Sequence, residues 1–93
     1  MPEYTWDDAK NEWLRLNRGL SFDDVVYHIT HGGLLAEIQH PNQDLHPGEL
    51  LYIVRIDDYA YEVPFYRIGD VETFMTVYPS RKATRDYVEQ TEE

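Results

Sequence analysis

The sequence predicts a small α+β domain in which two helices precede an antiparallel sheet and a short helix closes the chain. Three observations predict it. Phe22, Val25, Val26 and Ile29 fall at i, i+3, i+4 and i+7, the spacing of one helix face. After Gly32–Gly33 the period shortens to that of strands, in runs of apolar and β-branched residues separated by turn residues. A chain of 93 residues supplies one modest core, so the helices must lie on the sheet to share it. The whole chain, 1–93, reads as a single domain without repeats or linkers.

Each element has its own grounds. "EYTW" (3–6) reads as a short edge strand or an extended arm. Asp7 or Asp8 then caps a first helix, on which Ala9, Trp13 and Leu16 form an apolar stripe. Gly19 ends it, with Arg18 at the negative end of the dipole. Ser21 opens the second helix, and Asp24 completes an Asp form of the capping box. Gly32–Gly33 stops that helix.

"LLAEIQ" (34–39) and "ELLYIVRI" (49–56) read as strands around a Pro/Asn/Gly loop at 40–48. Asp57–Asp58 turns the chain into "YAYEVPFY" (59–66), where Pro64 implies an edge position, a bulge or an early end. "RIGD" (67–70) is a second turn, and "VETFMTVY" (71–78) one further antiparallel strand. Counting the first segment, the sheet has about three to five strands. After Pro79, Ser80 caps a last helix over 81–89 with Ala83 and Tyr87 inward, and the end of the chain frays.

Composition excludes several classes. The chain is 42% hydrophobic and 28% charged, with eight tyrosines, three phenylalanines and two tryptophans, an ordinary globular balance. With no cysteine, disulfides and thiolate metal sites are excluded, which suits a reducing cytosol. No apolar run approaches the roughly 18 residues of a membrane span, and the start lacks a signal-peptide pattern. We therefore expect a soluble, cytoplasmic protein with no membrane partner. Eight basic against eighteen acidic residues give a net charge of −10, the reverse of a general nucleic-acid binder. The basic residues are concentrated, however: Lys10, Arg15 and Arg18 near the start, Arg81, Lys82 and Arg85 near the end. A fold that joins these segments builds a positive site on an acidic body, and that body suits a basic partner.

The two ends also carry a resemblance. "WDDAKNEWLRLNRGLSFDDV" resembles the opening of BrnT-type toxins, where W/F-D-x-x-K-N leads to a basic pair, a glycine and S-F-E/D. "SRKATR" is similar to the segment that closes them. The resemblance implies a RelE-like α+β ribonuclease that needs no metal or other cofactor and inhibits translation. It also implies neutralisation by a ribbon-helix-helix antitoxin of the CopG or BrnA kind, with a homodimer open as a further assembly. Carried over by position, Lys10 falls on the family's helical lysine and Arg81 on the arginine of the closing motif. Arg18 stands where the family usually has histidine, and Thr76 where its last strand often carries arginine.

Metal-independent RNA cleavage requires a 2′-hydroxyl deprotonated, a pentacovalent phosphate stabilised and a leaving oxygen protonated. Arg81 beside a helix N-terminus and Arg18 suit the second task, because a guanidinium holds two phosphate oxygens. Lys10 adds charge or acts as a base. Lys82, Arg85 and Arg15 then serve as further RNA contacts. The plainer reading makes all six solvated helix positions, with Arg85 paired to Glu89 four residues on. The alternative, favoured by Arg18, Thr76 and the −10 charge, is a non-catalytic binding module on the same fold, a toxin relative that has lost ribonuclease activity. His28, His31, His40 and His46 lack metal-site spacing and read as surface residues, with no metal expected; any one of them could replace the family's histidine as acid or base, and the sequence does not choose which. Alternation puts Tyr59 and Tyr61 on one strand face and Glu62 on the other. With Tyr52, Tyr66 and Tyr78 they either stack on bases or fill half-buried positions.

Overall fold

A computed structural model describes residues 2–89. In order come β1 (Glu3–Thr5), α1 (Asp8–Arg18), α2 (Phe22–His28), β2 (Leu34–Gln39) and β3 (Leu50–Ile56). They are followed by β4 (Tyr59–Ile68), β5 (Val71–Phe74), β6 (Tyr78–Pro79) and α3 (Arg81–Ala83). A wider π-type turn, Thr84–Glu89, continues α3, whereas over Ile29–Gly33 the chain kinks out of α2 at His31 and left-handed Gly32 (φ 90°). The class is the α+β expected, and no described helix is long and apolar enough to cross a membrane. Of the tail expected to fray, 89–93, Glu89 ends the turn after α3, and 90–93 lie outside the described residues.

The strands form one sheet in the order β1-β5-β4-β3-β2, with β6 also paired to β4. β2 through β5 make the antiparallel meander. β1 joins β5 in parallel, so the sheet is mixed and six-stranded rather than antiparallel with fewer strands. The β3–β4 hairpin closes through Asp57 (φ 53°) and Asp58 (φ 65°), both left-handed, as a tight two-residue hairpin requires.

The single strand expected over 71–78 is broken at 75–77, and Pro64 explains why. β4 bonds β6 through Tyr61 and Glu62, and β5 from Phe65 onward. Pro64, which has no N–H to give, lies in the gap between them, and its carbonyl accepts the amide of Met75 (2.9 Å). On its other side β4 remains paired across Leu51↔Pro64.

Local signals set the helix ends. Asp7 caps α1 through the Lys10 amide (2.9 Å), and left-handed Gly19 ends it (φ 65°). Ser21 and Asp24 form a complete capping box on α2. The expected inward face of α1 is wrong: Ala9 is exposed, Trp13 and Leu16 are 45% and 67% exposed, and Leu14 is the residue buried. The cause is polar. Asn11 Oδ1 accepts the Phe22 amide (2.7 Å) while its Nδ2 donates to Asp23 (3.4 Å), which turns Asn11 and Leu14, three residues on, toward α2.

Two cores result. Leu14, Phe22 and Val25 pack on the sheet face of Tyr52, Val54, Val63, Phe65 and Phe74, with Trp6 stacked on Phe22 (5.6 Å). On the opposite face Ala83 and Val88 cover Ile53 and Ala60, while Tyr87 is only half-buried beside them. The last helix expected over 81–89 is thus three α-helical residues and a π-type turn. Thr84 holds it down: its hydroxyl accepts the buried Ala60 amide (2.8 Å) and donates to the Ser80 carbonyl (2.8 Å).

Candidate nucleic-acid interface

The fold brings the end of the first basic segment to the chain just ahead of the second. Arg18, at the end of α1, donates from Nη1 to the carbonyl of Val77 (2.7 Å), just before β6. Around it Leu20, Tyr61, Tyr78 and Pro79 line an open cleft of about 400 Å³. On α1 the cations Lys10 (Nζ, 4.8 Å) and Arg18 (Cζ, 5.3 Å) both lie over the ring of the exposed Trp13. Such cation–π contacts explain how an indole persists outside the core. Lys10 thus shares Trp13 with Arg18 but does not line the Arg18 cleft. Arg15 pairs with Glu12 on the exposed side of α1, and this contact holds the Glu12 carboxyl below its ordinary range.

Two residues past Pro79, Arg81 is exposed and lines a smaller cleft of about 140 Å³ with Tyr59, Thr84, Arg85 and Glu89. The rings of Tyr59 and Tyr61 meet edge to face with centroids 6.0 Å apart. Arg18, Tyr61, Tyr59 and Arg81 consequently follow one another along the start of β4. Glu62 takes the other face, where it accepts the Tyr78 hydroxyl (3.0 Å).

The closing motif divides by role. Ser80 caps α3, Ala83 and Thr84 are buried, and Arg81 projects. No carboxylate among the described residues pairs with Arg81. Lys82 bonds Asp86 (3.2 Å), and Arg85 turns to the same carboxylate (3.6 Å) rather than to Glu89 as the plainer reading expected. Only three α-helical residues follow the cap, so the helix dipole counted toward Arg81 is reduced.

A third cleft, of about 480 Å³, lies against Pro64, Tyr66, Thr76 and Tyr78. Tyr78 lines both it and the Arg18 cleft. Its rim is the 40–49 loop, which brings together His40, His46 and Glu49. Reading the four histidines as scattered surface residues missed this. The signal was present in the sequence: two histidines flank a proline-rich loop, and a glutamate follows the second by three residues.

Glu49 is 5% exposed, and its Oε1 lies 3.4 Å from His46 Nδ1 and 3.7 Å from His40 Nε2. The three ligand atoms lie within 4.8 Å of one another, close enough for a metal. His40 Nδ1, however, accepts the Asn42 amide (3.0 Å), which places the neutral ring's proton on Nε2. In this conformation His40 presents a proton, not a lone pair, toward Glu49. Burial and then the hydrogen bond to Glu62 push the Tyr78 hydroxyl up to about 12, and burial and then Glu49 raise Tyr66. Both phenols stay protonated near neutral pH, as donors and stacking surfaces rather than bases.

Comparison with protein-family models, curated proteins and solved structures gives no match. The three clefts and the motifs at the chain ends carry the functional argument.

Proposed function

We propose that this protein is the toxin of a type II toxin–antitoxin system, a metal-independent ribonuclease of BrnT type that inhibits translation. A small basic ribbon-helix-helix antitoxin neutralises it, drawn by the acidic surface. The observation that carries this reading is the bond from Arg18 to the Val77 carbonyl, which seats one basic segment beside the chain leading into the other. The result is a cationic, tyrosine-lined strip on a chain of net charge −10. Guanidinium groups flanking aromatic rings suit single-stranded RNA, with phosphates on the arginines and bases on the rings.

Induced expression in bacteria tests it. Wild-type protein should arrest growth and shorten RNA, and Arg81→Ala should relieve both while accumulating as folded protein. Equal arrest by Arg81→Ala would remove Arg81 from the mechanism.

A second reading, a cytoplasmic binding module without catalysis, draws on a specific feature. Arg18 is engaged by the Val77 carbonyl and Trp13, and the adjoining cleft carries neutral Thr76 where a cation would help a phosphate. This reading expects tight binding to a ribbon-helix-helix protein and intact RNA at every enzyme concentration.

A further inference from the structure

The 40–49 loop is hydrogen-bonded into a closed unit. His40 N–H donates to the Glu49 carbonyl (3.0 Å), and Glu49 N–H to the His46 carbonyl (3.1 Å). The Gln43 amide donates to the carbonyls of His40 (2.9 Å) and Glu49 (3.0 Å) and accepts Gly48 N–H (3.0 Å). Asn42 accepts the backbone amide of His46 at its carbonyl (3.0 Å) and that of Leu45 at its side chain (3.2 Å). The side chains carried by so cross-linked a loop are held in place before any ligand arrives.

The two imidazoles stack with centroids 4.2 Å apart, His40 beneath and His46 with 44% of its side chain exposed. The buried Glu49 carboxylate faces His46 Nδ1. A carboxylate there keeps the neutral ring's proton on Nδ1 and leaves the Nε2 lone pair pointing away from it. The adjoining cleft has the volume of a nucleotide site, and Tyr66 and Tyr78 offer rings for a base.

We propose that His46 is the proton acceptor of a ribonucleotide cleavage site in this third cleft, oriented by Glu49, with the strand continuing over Tyr78 to Arg18. The inference rests on the ribonuclease reading and names its base. His46 Nε2 takes the proton of a ribose 2′-hydroxyl, and that oxygen forms a bond to phosphorus. The bond from phosphorus to the 5′ oxygen breaks with its electron pair, and water protonates that oxygen. The imidazolium returns its proton to the hydroxide so formed, leaving a 2′,3′-cyclic phosphate and a 5′-hydroxyl. The titratable groups facing His46 are His40 and Glu49 from the loop, Tyr66 from β4, and Tyr78 from β6 with Glu62 behind it. Among the described residues no Lys or Arg lines this cleft, so the cation comes from Arg18 on the other side of Tyr78.

The test is cleavage of a mixed-sequence RNA oligonucleotide, with and without translating ribosomes, by wild type, His46→Gln, Glu49→Gln and the double variant. His31→Ala serves as a control outside the cleft, and circular dichroism confirms folding. We expect His46→Gln to lower kcat by about 10²–10⁴ with RNA affinity retained, and to remove the acid limb of the pH–rate profile. Glu49→Gln should lower kcat with KM retained, and the double variant should be no worse than His46→Gln alone, as for residues acting as one unit. Cleavage by His46→Gln at the wild-type rate would overturn the assignment and leave the ribonuclease reading standing. RNA bound but never cut by wild type, under either condition, would overturn both.

Discussion

Arg67 and Arg81 serve opposite ends of β4 in opposite ways. Arg67 donates to Glu37 through both terminal nitrogens (3.1 and 2.7 Å), to Glu72 through Nε (2.9 Å) and to the Tyr52 hydroxyl (3.1 Å). Tyr52 in turn donates to Glu72 (2.7 Å), and Glu72 is 3% exposed. Residues from β2, β3, β4 and β5 meet in that one network. Arg81 stands exposed with no carboxylate partner among the described residues. The same side chain is a clamp where the sheet buries acid and an available charge where it does not. Net charge, a property of the whole chain, conceals this difference.

Removing each arginine should separate the two roles. Arg67→Met leaves Glu72 buried with only the Tyr52 hydroxyl. We expect a loss of about 2–3 kcal/mol in urea unfolding, below the usual range for a broken buried pair because Arg67 is partly solvated. Adding Glu72→Gln should recover part of it. Arg81→Met should lie within about 0.5 kcal/mol of wild type. Equal costs for the two would end the distinction.

Thr84 belongs on the structural side of the comparison although it sits in the same motif as Arg81. Thr84→Val keeps the shape and removes the acceptor of the buried Ala60 amide. The expected loss is about 1–2 kcal/mol, measured by thermal unfolding, with RNA affinity unchanged at temperatures where the variant is folded. Weakened RNA binding by a folded Thr84→Val protein would mean that α3 acts on the interface by more than holding Arg81.

On the functional side the readout is salt. Single-stranded RNA loses affinity with log[salt] at a slope of about −0.7 for each phosphate contacted. Arg81→Ala should flatten the slope by about that amount, and Arg67→Met should leave it unchanged. A slope that does not move in Arg81→Ala places Arg81 off the RNA path.

What the sequence made readable follows interaction range. The capping box at Ser21 and Asp24, the cap at Ser80 and the strand at 34–39 rest on neighbours within a few residues, and the structure has them as read. Apolar periodicity misplaced the face of α1 because the bond from the Phe22 amide to Asn11, eleven residues apart, set its rotation. The break in the last strand depends on Pro64 meeting Met75 across the sheet. The Arg67 network links residues up to 30 positions apart, and nothing local marks it. Of the candidate site, the residue types were readable at both ends of the chain. The contact of Arg18 with Val77, 59 residues away, and the neighbouring histidine cleft required the fold.

Acid titration sharpens the comparison at its smallest scale. The Arg67 guanidinium holds the Glu37 carboxyl below its ordinary range. A carboxyl lowered by folding adds stability that is complete above its unfolded value, about 4.3, and is lost as pH falls through the folded value. The stability gap between wild type and Arg67→Met should therefore be widest above about pH 4.3 and narrow below it. The narrowing is expected to be small, because Glu37 is largely solvated and water screens the pair. Urea unfolding of both proteins from about pH 6 to pH 3 measures it. A gap that stays constant would assign the role of Arg67 to packing, since its guanidinium also lies 5.4 Å from the centre of the Phe65 ring. The contrast with Arg81 would then be one of burial and not of charge.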